Sequence, residues 1–416
     1  LKNLKNNNLM NKEAYIIDGI RTPIAKFQGG LSQVRADDLA AIVIKELIIR
    51  NPSVPVDAID DVILGCHNQA GEDNRNIARM AGLLAGLPVT VPGETINRLC
   101  SSGMSSIVHA NRAILAGDGD LFIAGGIEHM TRGPLVISKT SKAFGIDAKM
   151  EDSSFGWRFV NSKMKEMYGT DPMGITAENL AEKYNISRED QDKFALNSQV
   201  KAANAQNNGR LASEIVNVEI AQRNKPSIIF EHDEFIRPST TLEALNKLKP
   251  AFKQNGTVTA GNASGLNDGA GVVLIASKEA VKKYNLKPIA KIISSAVVGV
   301  EPSIMGIGPV PATKKALEKA GLTLDEIGVM EFNEAFAAQA LACTRQLGLS
   351  DDDSRINRNG GAIAIGHPLG MSGMRITYSA ALEMKNTGAK YGLATMCVGV
   401  GQGYAIILEN VYDQDI

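Results

Sequence analysis

The sequence predicts an α/β fold in which layered strands and helices carry a polar insertion. Three observations support this. Short apolar runs of strand length alternate with stretches of helical length, and forty glycines punctuate them. The run "CSSGMSS" heads a helical stretch leading to "LFIAGG", and "GHPLGMSGM" heads another leading to "LATMCVGV", a faint repeat of one βα unit. From Thr131 to Phe252 the texture turns charged and polar, which reads as an insertion on a layered core.

Along the chain, "AYIIDGIRTP" reads as a strand and turn. "RADDLAAIVIKELIIR" reads as a helix capped by Asp and ended before Pro52. "DVILGC" and "LFIAGGIE" are apolar runs of buried-strand type. Between them, Ser101 to Leu115 places Met104, Ile107, Val108 and Leu115 near one helical face. In the insertion, a long helix runs from Arg188 to about Asn207 and stops at Gly209, and Ser187 with Asp190 in "SRED" gives it a capping-box start. The α/β texture returns with "GVVLIAS", "IAKIISSAVVGV" and "PVPATKKALEKAGL". Strand "GVMEF", helix "NEAFAAQALACTRQLG" and strands "LATMCVGV" and "GYAIILEN" complete it.

The composition narrows the function classes. At 44% hydrophobic and 21% charged, the 416 residues match an ordinary soluble globular protein of two or three domains or one large two-lobed fold. A formal net charge of −1 argues against a general nucleic-acid binder. The four cysteines (Cys66, Cys100, Cys343, Cys397) form no CxxC pair, which fits free thiols in a reducing compartment, and no metal site is expected from the scattered histidines. No apolar run reaches the roughly 18 residues of a membrane span. The N-terminal "LKNLKNNNLMNKEA" lacks the marks of a signal or transit peptide and reads as a polar leader before a start at Met10. "VYDQDI" is no peroxisomal address, so the cytoplasm is the expected location.

Four stretches could carry chemistry. In "NRLCSSGMSS", Cys100 stands just before a helix, whose N-terminal N–H groups would favour a thiolate and pull the thiol toward neutrality; a buried packing cysteine is the alternative. In "NGGAIAIGHPLGMSG", His367 lies in a bed of glycines that lets backbone approach a ligand closely. Cys397 in "TMCVGVGQG" ends an apolar strand and enters a glycine loop. A strand-like run rather than a helix follows, so the dinucleotide fingerprint fails and the loop's N–H groups could serve as oxyanion donors instead. In "EFNEAFAAQA", Asn333 stands between a strand and an Ala-rich helix, at a good N-cap position. Cys66-His67, Cys343, His109, His129 and His232 read as packing or surface residues.

These four stretches resemble, in order, the active-site segments of the thiolase family, and "VTAGNASGLNDGA" resembles its coenzyme A loop. The similarity runs over nearly the whole chain from about residue 14. Within the family, "NQAGEDNRNIARMA" and "GWRFVN" resemble the bacterial 3-oxoadipyl-CoA thiolases. The resemblance implies duplicated βαβαβαββ halves in α/β/α/β/α layers: residues 10–130 with 253–285, an inserted loop domain over 131–252, and residues 286–411.

It also implies an acetyl-CoA C-acyltransferase that cleaves 3-oxoacyl-CoA with coenzyme A, in ping-pong fashion, to acetyl-CoA and a shortened acyl-CoA. Coenzyme A is then a co-substrate, with no tightly bound cofactor. Cys100 would be the acylated nucleophile, His367 its base, and Cys397 the acid/base at the substrate α-carbon. Asn333 would hold a water that forms one oxyanion hole with His367, and the N–H groups of Cys100 and Gly399 would form the other. Met173, Arg237, Phe252, Ala260, Ser264, Ala335 and Phe336 fall where the family contacts coenzyme A or the acyl group. A homodimer or homotetramer is implied.

The sequence departs from the family in one place. "DPMGITAEN" has Pro172 where short-chain biosynthetic members carry a His, and lacks the Pro-Glu that follows the Met in the 3-oxoadipyl group. Condensation of two acetyl-CoA is the alternative direction. A decarboxylating condensing enzyme would need a second active-site His or a matching Asn in the C-terminal half, where Cys397 stands instead. A non-catalytic relative would have lost one of the four reactive residues.

Overall fold

The computed structural model describes residues 12–412; the leader expected before Met10 lies outside them. The first half runs through β1 (Ala14–Arg21), α1 (Ala36–Arg50), β2 (Asp61–Gly65), α2 (Ile77–Leu84), β3 (Gly93–Ile96), α3 (Ser102–Ala116) and β4 (Leu121–His129). The chain then makes a long excursion that includes α4 (Met173–Lys183) and α5 (Arg188–Asn207), and returns as β5 (Asn267–Ser277). The second half runs through β6 (Ala290–Gly299), α6 (Pro309–Ala320), β7 (Ile327–Phe332), α7 (Ala337–Gln346), α8 (Leu369–Thr387), β8 (Tyr391–Val398) and β9 (Gln402–Asn410).

These strands follow one mixed path, β7-β8-β9-β6-β1-β5-β4-β2-β3. The halves meet through only two residue pairs, Tyr15 with Lys291 and Ile16 with Ala290. A hydrogen bond contributes about 0.5–1.5 kcal/mol net, whereas a fully buried Ile or Leu contributes about 1.5–3 kcal/mol. The halves are therefore held together by their faces.

Period-two alternation builds those faces. Ile17, Ile20, Val62, Leu64, Val272 and Leu274 pack on one side of the first half's strands, against α1 and α2. Ile16, Ile63, Val273 and Ile275 point the other way, into a central layer with Met104, Ile107, Met374 and Tyr378 from α3 and α8. That layer also receives Met396, Tyr404 and Ile406 of the second half. The opposite face of the second half, with Leu393, Ala405 and Ile407, packs on Val310, Leu317 and Cys343 from α6 and α7. The result is five layers, α/β/α/β/α, as expected.

Glycines set the spacing of the central layer. A Cβ on Gly103 of α3 would lie 2.6 Å from the Gly370 carbonyl, and one on Gly373 of α8 would lie 2.4 Å from the Met104 nitrogen. The two helices touch backbone to backbone, and the repeat of "GMS" in the sequence marks this seam.

The excursion is tied to the core by a buried ion cluster. Arg21 of β1 bonds Glu214 at 2.7 Å and grips Asp233 through both terminal nitrogens at 2.7 and 2.9 Å. Burial by itself would raise Glu214, but Arg21 and Arg210 outweigh it and hold the carboxyl at about 2.

Three local expectations are corrected. No Asp caps α1: its N-cap is Arg35, Asp37 binds the Arg35 guanidinium, and Glu72 accepts the Ala36 N–H at 3.3 Å. Leu115 is 42% exposed while Met104, Ile107 and Val108 are buried, so it falls off the shared face. The second half has no full counterpart of β3, only one parallel bridge between Met330 and Ile356. The Asn357 side chain completes that edge, accepting the Phe332 N–H at 2.8 Å and donating to the Phe332 carbonyl at 2.9 Å as a strand backbone would. The α5 start behaves as the sequence suggests, with Ser187 Oγ accepting the Asp190 N–H at 3.0 Å.

Candidate active site

Cys100, just before α3, and His367, just before α8, line one cavity. Cys100 precedes α3 and follows Leu99, which is held at φ +49°. Across from it, the turn between β8 and β9 presents Gly399, followed by Val400 at φ +61°. A β-branched residue in the left-handed region is strained, and here the strain sits beside the reactive sulfur. The backbone N–H groups of Gly399 and of Cys100 itself favour the thiolate form of Cys100. Burial nevertheless dominates and pushes the thiol up to about 11, with Glu128 adding to the rise. The expected pull of the helix N-terminus toward neutrality is outweighed by desolvation.

His367 lies between Gly366 and the start of α8. Its N–H donates to Asn267 Oδ1 at 2.9 Å, and Gly366 at φ +113° lets the two chains approach. Ser372 Oγ donates to the Pro368 carbonyl at 2.8 Å, so towards Nδ1 of His367, 2.6 Å away, it acts as acceptor. This assigns the proton to Nδ1 and leaves Nε2 as the basic lone pair. Burial, helped by the charge of Arg375, pushes the imidazole down to about 3. Burial thus favours the neutral form of both groups.

Asn333 is not a helix cap. α7 starts at Ala337 with extended Phe336 as its N-cap, and Asn333 Nδ2 lies 3.3 Å from His367 Nε2. The segment between is held by pairing with the 259–265 loop: Ser264 N–H donates to the Ala335 carbonyl and Ala337 N–H to the Asn262 carbonyl, each at 2.9 Å. Glu334 turns inward and accepts bonds from Ser198, Asn357 and the Ile363 N–H. Cys397, at the end of β8, is fully buried among Met305, Ala335 and Phe336. Burial first, then the charge of Cys100 and of Cys343, push its thiol well above the ordinary range.

A cavity of about 510 Å³ opens onto Cys100, Gly399 and His367, within the range of small-molecule sites. Met173, Phe252, Ser264, Ala335 and Phe336 line it, and the Phe252 and Phe336 rings meet edge to face at 6.1 Å. Arg237 and Ala260 are exposed and do not line it. Asn333 and Cys397 lie behind the lining.

Sequence reasoning missed several participants. Ser372 and Asn267 stood inside quoted motifs, but only the fold shows that they hold His367. Glu128, buried in β4, accepts the N–H groups of His67, Asn68 and Gly370 and so joins the 66–68 loop to the start of α8. Read as a packing residue, His67 in fact lines the cavity, beside Trp157 and Arg158 of the excursion. For these the only sequence signal was the "GWRFVN" string.

Residues 14–279 match the family described as "Thiolase, N-terminal domain", and residues 286–410 match "Thiolase, C-terminal domain". The chain is 59% identical over 400 residues to the β-ketoadipyl-CoA thiolase of Acinetobacter baylyi, covering 96% of this chain and all of the relative. It is 58% identical over 402 residues to the 3-oxoadipyl-CoA/3-oxo-5,6-dehydrosuberyl-CoA thiolase of Escherichia coli, with 96% of this chain and all of that one covered. The crystal structure of human mitochondrial 3-ketoacyl-CoA thiolase in complex with CoA superposes with a TM-score of 0.89 at 41% identity, covering 96% of this chain and 98% of the other. With both halves of the chain matched and Cys100, His367 and Gly399 lining one cavity, this protein belongs to the thiolase family and is an acyltransferase.

Proposed function

We propose that the protein cleaves 3-oxoacyl-CoA thioesters with coenzyme A, and that its preferred substrate carries a carboxylate at the far end, as 3-oxoadipyl-CoA does. The observation that carries the reaction is the convergence of Cys100, the Gly399 N–H and His367 on one cavity. The substrate rests on relatives named β-ketoadipyl-CoA thiolase at 55–59% identity.

In this reading His367 Nε2 takes the Cys100 proton as the sulfur attacks the C3 ketone. The N–H groups of Cys100 and Gly399, beside the attacking sulfur, stabilise the oxyanion that develops on C3. The C2–C3 bond then breaks and its electron pair becomes the enolate of acetyl-CoA. A water held by Asn333 Nδ2, together with His367, stabilises that charge while the Cys397 thiol gives C2 a proton. Coenzyme A, a co-substrate, finally takes the acyl group. The Cys397 thiolate accepts the coenzyme A thiol proton as that sulfur attacks, and His367 returns a proton to the departing Cys100 sulfur. Met173, Phe252, Ser264, Ala335 and Phe336 would contact the acyl-pantetheine end. Arg237 and Ala260, exposed outside the cavity, would meet the nucleotide end.

We assign residues 10–130 with 253–285 to one core half, 131–252 to the inserted loop domain and 286–411 to the other half. A cytoplasmic location fits, in that no helix among the described residues is long and apolar enough to cross a membrane. A homodimer or homotetramer is supported by the open edge of β3 and by fully exposed Phe144 and Ile146 in the excursion. Light scattering at micromolar concentration should give two or four chain masses, and a single chain mass would remove this assignment.

The substrate is tested by kcat/KM for acetoacetyl-, 3-oxohexanoyl-, longer 3-oxoacyl- and 3-oxoadipyl-CoA. The dicarboxylic thioester should rank first. Preference for acetoacetyl-CoA would instead favour the biosynthetic reading.

A further inference from the structure

The cavity wall is apolar apart from a few groups, and its charge is one-sided. Met130, Phe155, Trp157, Met305 and Leu369 form much of it, while Arg158 is its only Lys or Arg, and no Asp or Glu lines it. Among the described residues no acidic side chain pairs with Arg158; its recorded partner is the Ser153 carbonyl, 3.2 Å from Nη1. Arg132 of the same excursion, by contrast, is engaged by Glu72.

The Arg158 segment is fixed to the core. Ser153 N–H donates to the Pro134 carbonyl at 3.1 Å, and Ser153 Oγ accepts the Asn68 side-chain amide at 3.3 Å. The backbone N–H groups of His67 and Asn68 are in turn held by Glu128. The guanidinium, held through Nη1 by the Ser153 carbonyl, thus lines an apolar cavity with no carboxylate partner among the described residues. Such a group prefers a planar anion, and low surrounding polarity strengthens the pairing.

We propose that Arg158 is the specificity-determining residue of this site: it receives the distal carboxylate of a dicarboxylic 3-oxoacyl-CoA, with His67 on the same wall. This deepens the substrate reading given above and rests on it. The distal carboxylate lies three carbons beyond the ketone in 3-oxoadipyl-CoA, so it stays on the acyl portion carried by Cys100. Recognition by Arg158 therefore acts in both half-reactions.

The test compares 3-oxoadipyl-CoA with 3-oxohexanoyl-CoA, which has the same chain length and no carboxylate, and with acetoacetyl-CoA. For Arg158→Gln, kcat/KM on 3-oxoadipyl-CoA should fall about 100-fold, since truncating one partner of a charge pair that the bound substrate shields from water is costly. Cleavage of the two neutral substrates should stay within about threefold, which also shows that the variant folds. Arg158→Lys should recover part of the loss, because it restores charge without the fork. Equal loss on all three substrates would overturn the assignment, placing Arg158 on coenzyme A or in the framework. An unchanged preference would overturn it as well, by placing the carboxylate elsewhere. A wild-type enzyme that cleaves the neutral substrates but not 3-oxoadipyl-CoA would instead bring down the substrate reading and this assignment with it.

Discussion

Cys100→Ser is expected to reduce turnover by about 10⁴-fold or more while leaving the fold intact. Serine is nearly isosteric, but its hydroxyl ionises far above a thiol, and His367, held down to about 3, is a weak base in the resting site. Acetyl-CoA should leave an acetyl group on Cys100 of the wild type, located by peptide mass spectrometry. An adduct on Cys66, Cys343 or Cys397 would overturn the assignment. The same cysteine has a readable pH signature. With its thiol pushed up to about 11, the thiolate fraction at lower pH is small and grows as pH rises. Alkylation at Cys100 should therefore accelerate about tenfold per pH unit between about pH 6 and 9. A plateau below pH 8 would reveal a thiolate–imidazolium pair in place of the neutral one.

Cys397→Ala should separate two activities that share one cavity. Exchange of acetyl groups between coenzyme A and Cys100 moves no proton at carbon and so leaves no Cys397 thiolate; it depends on Cys100 and His367. Carbon–carbon cleavage also needs a proton delivered to C2. Loss of a positioned acid/base costs about 100- to 10,000-fold, and cleavage of acetoacetyl-CoA should fall by that factor while exchange persists. Burial keeps the Cys397 thiol protonated but also makes it a weaker acid than a free thiol, so donation to C2 depends on the basicity of the enolate. Isotope exchange and loss of the β-ketothioester absorbance, followed on one preparation, decide the matter. Equal loss of both would make Cys397 a part of acyl transfer or of the framework. Retention of both would make it a packing residue.

Legibility followed the range of the interactions. Strands buried on both faces announce themselves, since "LFIAGGIEH" has no polar alternation to lose. A cysteine before a helix and a histidine among glycines are local patterns, and both proved to face the cavity. Asn333 was ambiguous because local propensity cannot see the 259–265 loop that keeps Phe336 extended and delays α7 to Ala337. The ionisation of Cys100 was misjudged for a similar reason: the helix is visible in the sequence, whereas the depth of burial that outweighs it is not. Nothing near His67 or Arg158 in sequence shows that Glu128 and Asn68 carry them to the cavity wall. The missing strand of the second half was hidden too, because one asparagine side chain takes over a strand's bonds.

The split of the site between the halves also orders events in time. In the assignment proposed above, the nucleophile belongs to the part of the chain a ribosome makes first, and Asn333, His367, Cys397 and Gly399 belong to the part made last. A nascent chain that has emerged only through β5 carries the thiol without its base, its acid or its Gly399 donor. Reactivity is then gained on docking of α8 beside α3 along the glycine seam. On that assignment the cysteine lacks its catalytic partners until the last strands of the second half are in place.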